Sequence, residues 1–157
     1  MRLLYGLSLL VLVAPASAQR PPQIVVGAGA SPVDGSPSPS AAVTLMGWPG
    51  RVGFAVHGDY AQKYTWESEP SAASVGVLAA LAVPAGGAEI VLAVGPSASR
   101  DGRRFEARGW RLGGMGRVAA SVPVGGAFGL SLGAGVVASA DGVRPSVVSW
   151  LSLRLGG

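Results

Sequence analysis

His57 is the only histidine in the chain, and it stands two residues from a carboxylate in Val56-His57-Gly58-Asp59. A histidine steered by an acid is the smallest unit that can act as a general base. On an extended strand residues two apart share a face, so the pair fits an internal polar network equally well. Nothing completes a catalytic set around it. The absence of cysteine removes thiol nucleophiles, disulfides, Cys-based zinc sites and a lipid-modified cysteine. Gly129-Leu130-Ser131-Leu132-Gly133 has the G-x-S-x-G spacing but lies inside a predicted strand, without the strand-to-helix turn of a nucleophile elbow, and there is no histidine–acid cluster at metal-ligand spacing. Gly27-Ala28-Gly29 lacks the third glycine, the following helix and the later acid of a dinucleotide site. The expectation is a protein without enzyme activity, cofactor or metal.

The densest charge is the basic run Arg100, Arg103, Arg104, Arg108 and Arg111. Guanidinium forks match phosphate bidentately, so these residues suit anionic headgroups. The alternative is a solvated loop balanced by Asp101 and Glu106. Nucleic-acid binding would need aromatic platforms beside the charge, and Phe105 with Trp110 are too few, so no nucleic acid is expected.

The elements that position these residues follow from composition and period. The chain is 49% hydrophobic and 13% charged, with 25 glycines, 12 prolines and a mean hydropathy of +0.45. That is too apolar for disorder and too apolar for an ordinary soluble surface. Met1-Arg2, the apolar run Leu3 to Ala14 and the small-residue site Ala16-Ser17-Ala18 have the layout of a secretory signal peptide over residues 1–18. Residues 19–157 then form one exported domain.

Within that domain, prolines at 49, 84 and 123 are each followed within two residues by glycine and precede a similar apolar segment. Such sites make tight turns. More polar stretches alternate with them at Ser31–Ser40, Glu67–Ser71 and Ser97–Gly109, and Ala140-Asp141-Gly142 is a short hairpin signal. These breaks separate eight predicted strands: Gln23–Ala30, Ala41–Trp48, Arg51–Trp66, Ala72–Val83, Ala88–Pro96, Trp110–Val122, Ala127–Ala140 and Val143–Leu155.

Alternation of period two assigns the faces. Val52, Phe54, Val56 and Tyr60 oppose Arg51, Gly53, Ala55, His57 and Asp59. Ile90, Leu92 and Val94 oppose Glu89, Val91 and Ala93. Phe128, Leu130, Leu132 and Val136 oppose Gly129, Ser131, Gly133 and Gly135. In the last strand Leu151 and Leu153 oppose Ser152 and Arg154, while Trp150 breaks the parity and implies a bulge or a rim position. The second face is small and sparsely charged, and the chain has a single lysine, Lys63. Such a face suits the interior of a narrow eight-stranded barrel, with the bulky aliphatics turned to lipid. An arginine on the lipid face at the midplane costs about 2–4 kcal/mol. The predicted lumen network is therefore Arg51, His57, Asp59, Glu89, Arg111, Arg117 and Arg154. Tyr60, Tyr64, Trp66 and Trp110 are expected to form an interfacial aromatic belt, with Trp48 and Phe128 at the opposite rim.

With this layout the chain resembles the small eight-stranded outer-membrane β-barrels of Gram-negative bacteria, the type of the transmembrane domain of outer-membrane protein A. The resemblance covers nearly all of the exported part and rests on layout and alternation. It implies an all-β, antiparallel up-and-down transmembrane barrel in the bacterial outer membrane, monomeric and delivered by the barrel-assembly machinery. It also implies contact with outer-membrane lipid and lipopolysaccharide phosphates through Arg100, Arg103, Arg104 and Arg108. Barrels of this type usually end in an aromatic residue, whereas this chain ends Leu153-Arg154-Leu155-Gly156-Gly157. Some are lipid A-modifying hydrolases with a His and a Ser two apart near a late strand, a pair this chain lacks. The expected role is structural or surface-contact, with a small-solute or ion pore as the alternative. Two other architectures remain open: a soluble secreted β-protein, and a two-helix inner-membrane hairpin built from Ala72–Gly95 and the uncharged Val118–Ala140. Against the helices stand Pro84, Pro123 and Glu89, which is costly at a bilayer centre.

Overall fold

A computed structural model describes residues 20–50, 52–63, 70–103, 106–107, 109–140 and 142–154. The elements in chain order are β1 (Arg20–Val33), β2 (Ser36–Trp48), β3 (Val52–Gln62), β4 (Ser71–Ala85), β5 (Ala88–Arg103), β6 (Glu106–Ala107), β7 (Arg111–Gly125), β8 (Phe128–Ser139) and β9 (Gly142–Arg154). The two-residue β6 folds back on the end of β5; the other eight strands are long. Each long strand pairs antiparallel with its neighbour in sequence, β5 with β7, and β1 pairs with β9. The ring of the eight long strands closes, so each of them is paired on both sides, which is what a sheet must achieve to lie in hydrocarbon.

Among the described residues no helix is long and apolar enough to cross a membrane. The two stretches that could have been helices are strands: Ala72–Gly95 contributes to β4 and β5, and Val118–Ala140 to β7 and β8. Proline and glycine pairs stop a helix there and instead turn two hairpins. Gly86 (φ 62°) and Gly126 (φ 54°) take the left-handed conformations these turns need. Those two turns, the Pro49-Gly50 turn, Arg20 and Arg154 share one end of the barrel, here the lower end. Asp34-Gly35, Lys63, Pro70, Gly109, Trp110 and Ala140 lie at the upper end.

The polar stretches are shorter as loops than the sequence implies. Ser31–Ser40 is not a loop: β1 and β2 run on through it, with Ser31 opposite Ser38, Pro32 opposite Pro37 and Val33 opposite Ser36. Asp34 (φ 50°) and Gly35 (φ 73°) close this hairpin in two residues, the mirror-image turn that matches strand twist. Two prolines can face each other in a ladder only where no amide hydrogen is called on. β5 likewise continues to Arg103, so Ser97–Arg103 of the expected Ser97–Gly109 loop is strand. Of Glu67–Ser71, residues 67–69 lie outside the described residues, and Lys63 N–H donates to Pro70 C=O at 2.9 Å across the base of that connection.

Face assignment follows the predicted parity closely. In β2 to β4 every second residue is buried: Ser38, Ser40, Ala42 and Thr44; Gly53, Ala55, His57, Asp59 and Ala61; Ala72, Ser74, Gly76, Leu78, Ala80 and Ala82. The intervening Val43, Leu45, Val52, Phe54, Val56, Val75, Val77 and Leu81 are exposed. Small residues fill the centre because eight strands leave room for little more. Trp48 departs from the expected rim position. It is buried at the lower end against Ala80 and Ala82, because it keeps the inward parity of β2. Gly53, beside it on β3, has no room for a Cβ next to the Trp48 ring and the Gly47 carbonyl. Residue 150 does not require a bulge: the β8–β9 ladder runs unbroken and sets it opposite Ser131, while β1 sets it opposite Gly27.

Candidate functional site

A charged layer crosses the lumen at mid-height. His57 and Asp59 come from β3, where the two-residue spacing directs both inward, and both are buried. Arg117 reaches them from β7 and Arg144 from β9. Thr44 Oγ1 lies 2.7 Å from His57 Nδ1. Arg117 Nη1 is 2.8 Å from His57 Nδ1 and also meets Nε2. A guanidinium has only donors, so the imidazole is the acceptor in that contact. His57 Nε2 stands 3.6 Å from Asp59 Oδ2, and Arg144 Nη2 donates to Asp59 Oδ1 at 3.2 Å. Groups from four strands, β2, β3, β7 and β9, thus meet across the barrel axis. Apolar packing backs them, since Ala55, Leu78, Met115 and Val137 form one buried cluster.

The layer separates two differently lined spaces. Below it lies a cavity of about 550 Å³, counting its open mouth, with Val25, Met46, Leu78 and Val91 among its lining residues and Glu89 and Arg117 its charged groups. Above it, a smaller space of about 300 Å³ is bordered by Ser99, Asp101, Ser139 and Arg144. Ser40, Ser97 and Arg144 Nη1 are buried with no hydrogen-bond partner among the described residues, so the upper half is polar enough to hold water. No group of three or more metal-ligating side chains occurs among the described residues. His57 has a carboxylate beside it, but Arg117 and Thr44 occupy its ring nitrogens, which leaves no nitrogen aimed at an open cleft.

By sequence the chain matches no protein-family model and no curated relative. By structure it is similar to the Neisserial surface protein A (NspA), with a TM-score of 0.67 at 11% identity, covering 85% of this chain and 96% of that one. It is similar to Ail, the attachment invasion locus protein of Yersinia pestis (TM-score 0.59, 7% identity, 88% and 99% covered). A third is the outer-membrane protein OprG from Pseudomonas aeruginosa (TM-score 0.50, 6% identity, 89% and 96% covered). The chain has the fold of the small eight-stranded outer-membrane β-barrels.

Within this fold the predicted site residues divide. His57 lies in contact with both Arg117 and Asp59 inside the barrel. Glu89 lines the lower cavity. Arg111 does not enter the lumen: it has the inward parity but starts β7 at the upper mouth, where it is exposed. Arg51 lies outside the described residues, and of Arg154 only the backbone is described, paired with Gln23 at the lower end. Tyr60, Trp110 and, at the lower rim, Phe128 face outward; Tyr64 and Trp66 lie outside the described residues. Of the basic run, Arg100 ends an outward row on β5, Arg103 closes that strand, and Arg104 and Arg108 lie outside the described residues. Sequence reasoning missed Arg144 and Thr44. The signal for Arg144 existed, since it has the same parity as Ser152 and Arg154, but the apparent misfit of Trp150 obscured the count.

Proposed function

We propose that this chain is a non-enzymatic protein of the bacterial outer membrane, exported by residues 1–18, whose sealed barrel holds its upper hairpins at the cell surface for contact. The observation that carries this is the distribution of charge. Bulky aliphatics cover the outer wall while His57, Asp59, Glu89, Arg117 and Arg144 stand on inward positions, the reverse of a soluble barrel. The names of the similar proteins, a surface protein and an attachment invasion locus protein, agree with a contact role. The barrel works as a monomer, with lipid and lipopolysaccharide around it and the assembly machinery as its transient partner.

A second reading, a small-solute or ion pore, draws on the two spaces on either side of the charged layer, which would join if the layer parted. Single-channel recording in planar bilayers separates them. The sealed barrel gives no conductance steps in its wild-type form, and regular steps from wild-type protein would replace the first reading by the second.

A further inference from the structure

The space above the charged layer is built on one register. Ser97 on β5 pairs with Gly113 on β7, Gly113 with Ser139 on β8, and Ser139 with Gly142 on β9. Serine and glycine thus alternate around this side of the lumen. One inward row below, Val137 pairs with Arg144; one row above, Ser99 pairs with Arg111. A Cβ built on Gly142 would meet nothing within 4 Å, so the row stays open where the last hairpin begins.

Polar groups of both signs face this opening. Arg144 donates Nη2 to Asp59 at 3.2 Å, while its Nη1 is buried with no hydrogen-bond partner among the described residues, as is the hydroxyl of Ser97. Ser99, Ser139 and Asp101 border the same space. Arg144 pairs with Asp59 rather than with Asp101. The space therefore has a guanidinium edge at its floor, a carboxylate at its mouth and hydroxyls between them. A buried donor without a partner is costly, and a ligand that met it would recover that cost.

We propose that Arg144, Asp101 and the serines between them form an upper-lumen binding site for a small zwitterion, a molecule with a carboxylate and an ammonium group on neighbouring atoms. The carboxylate accepts from Arg144 Nη1 and the Ser97 hydroxyl through short charge-assisted hydrogen bonds. The ammonium group donates to Asp101 and to the Ser99 hydroxyl. A plain anion would meet Asp101 and a plain cation would meet Arg144, and water answers the hydrogen bonds but neither charge. The space measures about 300 Å³ counting its open mouth, which suits a ligand of about six non-hydrogen atoms. A bulky side chain is stopped below by Val137, packed in one buried cluster with Leu78 and Met115. This site goes beyond the contact role proposed above and stands whether or not the barrel conducts.

The test is equilibrium dialysis of labelled probes against protein folded in detergent, with heat-modifiable gel mobility confirming the fold of each variant. The probes are L-alanine; propionate, which lacks the ammonium group; ethylamine, which lacks the carboxylate; and L-tryptophan, which keeps both on a larger frame. Wild-type protein should bind L-alanine about tenfold more tightly than propionate or ethylamine, and should exclude L-tryptophan. Asp101→Asn, at an exposed position that the fold does not depend on, should bring L-alanine down to the level of propionate. Arg144→Lys keeps a cation beside Asp59 but loses the fork, and should weaken L-alanine about tenfold while leaving ethylamine unchanged. Folded Asp101→Asn protein with undiminished L-alanine binding overturns the site. Propionate bound as tightly as L-alanine overturns the zwitterion in favour of a plain anion. L-Tryptophan bound as well as L-alanine overturns the placement in this space. Folded wild-type protein that binds no L-alanine at millimolar concentration overturns the proposal and leaves the sealed, inside-out barrel untouched.

Discussion

Replacing Asp59 with alanine leaves Arg144 as a buried guanidinium without the carboxylate that stands 3.2 Å away. At that distance and an effective dielectric of about 20 the gross attraction is about 5 kcal/mol. Desolvation of both groups offsets much of it, but the desolvation of Arg144 remains after the partner is gone, and breaking a buried pair typically costs about 3–5 kcal/mol. The side chains of Arg144 and Asp59 are 11% and 4% exposed. Arg144 also borders the upper space, where Asp101 is within its surroundings, so it has somewhere to turn. We therefore expect a loss near the low end, about 3 kcal/mol. The assay is urea unfolding from lipid vesicles, followed by tryptophan fluorescence, for Asp59→Ala, Arg144→Ala and the double variant. The double variant should be little worse than the worse single one, giving a coupling of about 2–3 kcal/mol. Losses that add to within about 0.5 kcal/mol would refute the ion pair and with it the sealed layer.

Three further outcomes follow from the same geometry. Val94→Arg places a charge at mid-strand on the outer wall, where Val94 is 67% exposed, and should cost about 2–4 kcal/mol in vesicle unfolding; a neutral effect would mean that wall does not face hydrocarbon. Gly53→Val drives a side chain into the Trp48 ring and the Gly47 carbonyl; a loss of about 1–3 kcal/mol should show as reduced folding yield and a lower temperature for the gel-mobility shift. Thr44→Val keeps the shape and removes the hydroxyl 2.7 Å from His57; about 1 kcal/mol should be lost, read from the same urea curves.

How much the sequence revealed depends on which force set each position. Strand count, connectivity and the inward set of His57, Asp59 and Arg117 were legible, because lipid on one side and a narrow lumen on the other impose a strict period of two on side-chain size. Errors arose where composition and parity disagreed. Ser31–Ser40 has the prolines and serines of a loop, yet Asp34-Gly35 closes it as a strand hairpin, since a barrel wall above the hydrocarbon has no need of apolar residues. Trp48 looked like a rim aromatic, yet its parity on β2 and the empty space over Gly53 put it inside. Arg111 kept its parity but lies at the mouth, a height that alternation does not encode. Arg144 required an unbroken register through β9, which only the pairing with β8 reveals.

The orientation of the wall is best measured by nitroxide scanning along β8. The chain has no cysteine, so each of positions 129 to 136 can carry a single introduced cysteine and its label without background. In lipid bilayers, collision with oxygen should be high at 130, 132, 134 and 136 and low at 129, 131, 133 and 135, a period of two in phase with the bulky residues. The opposite phase, with labels replacing Leu130 and Leu132 shielded inside protein, would contradict an inside-out barrel.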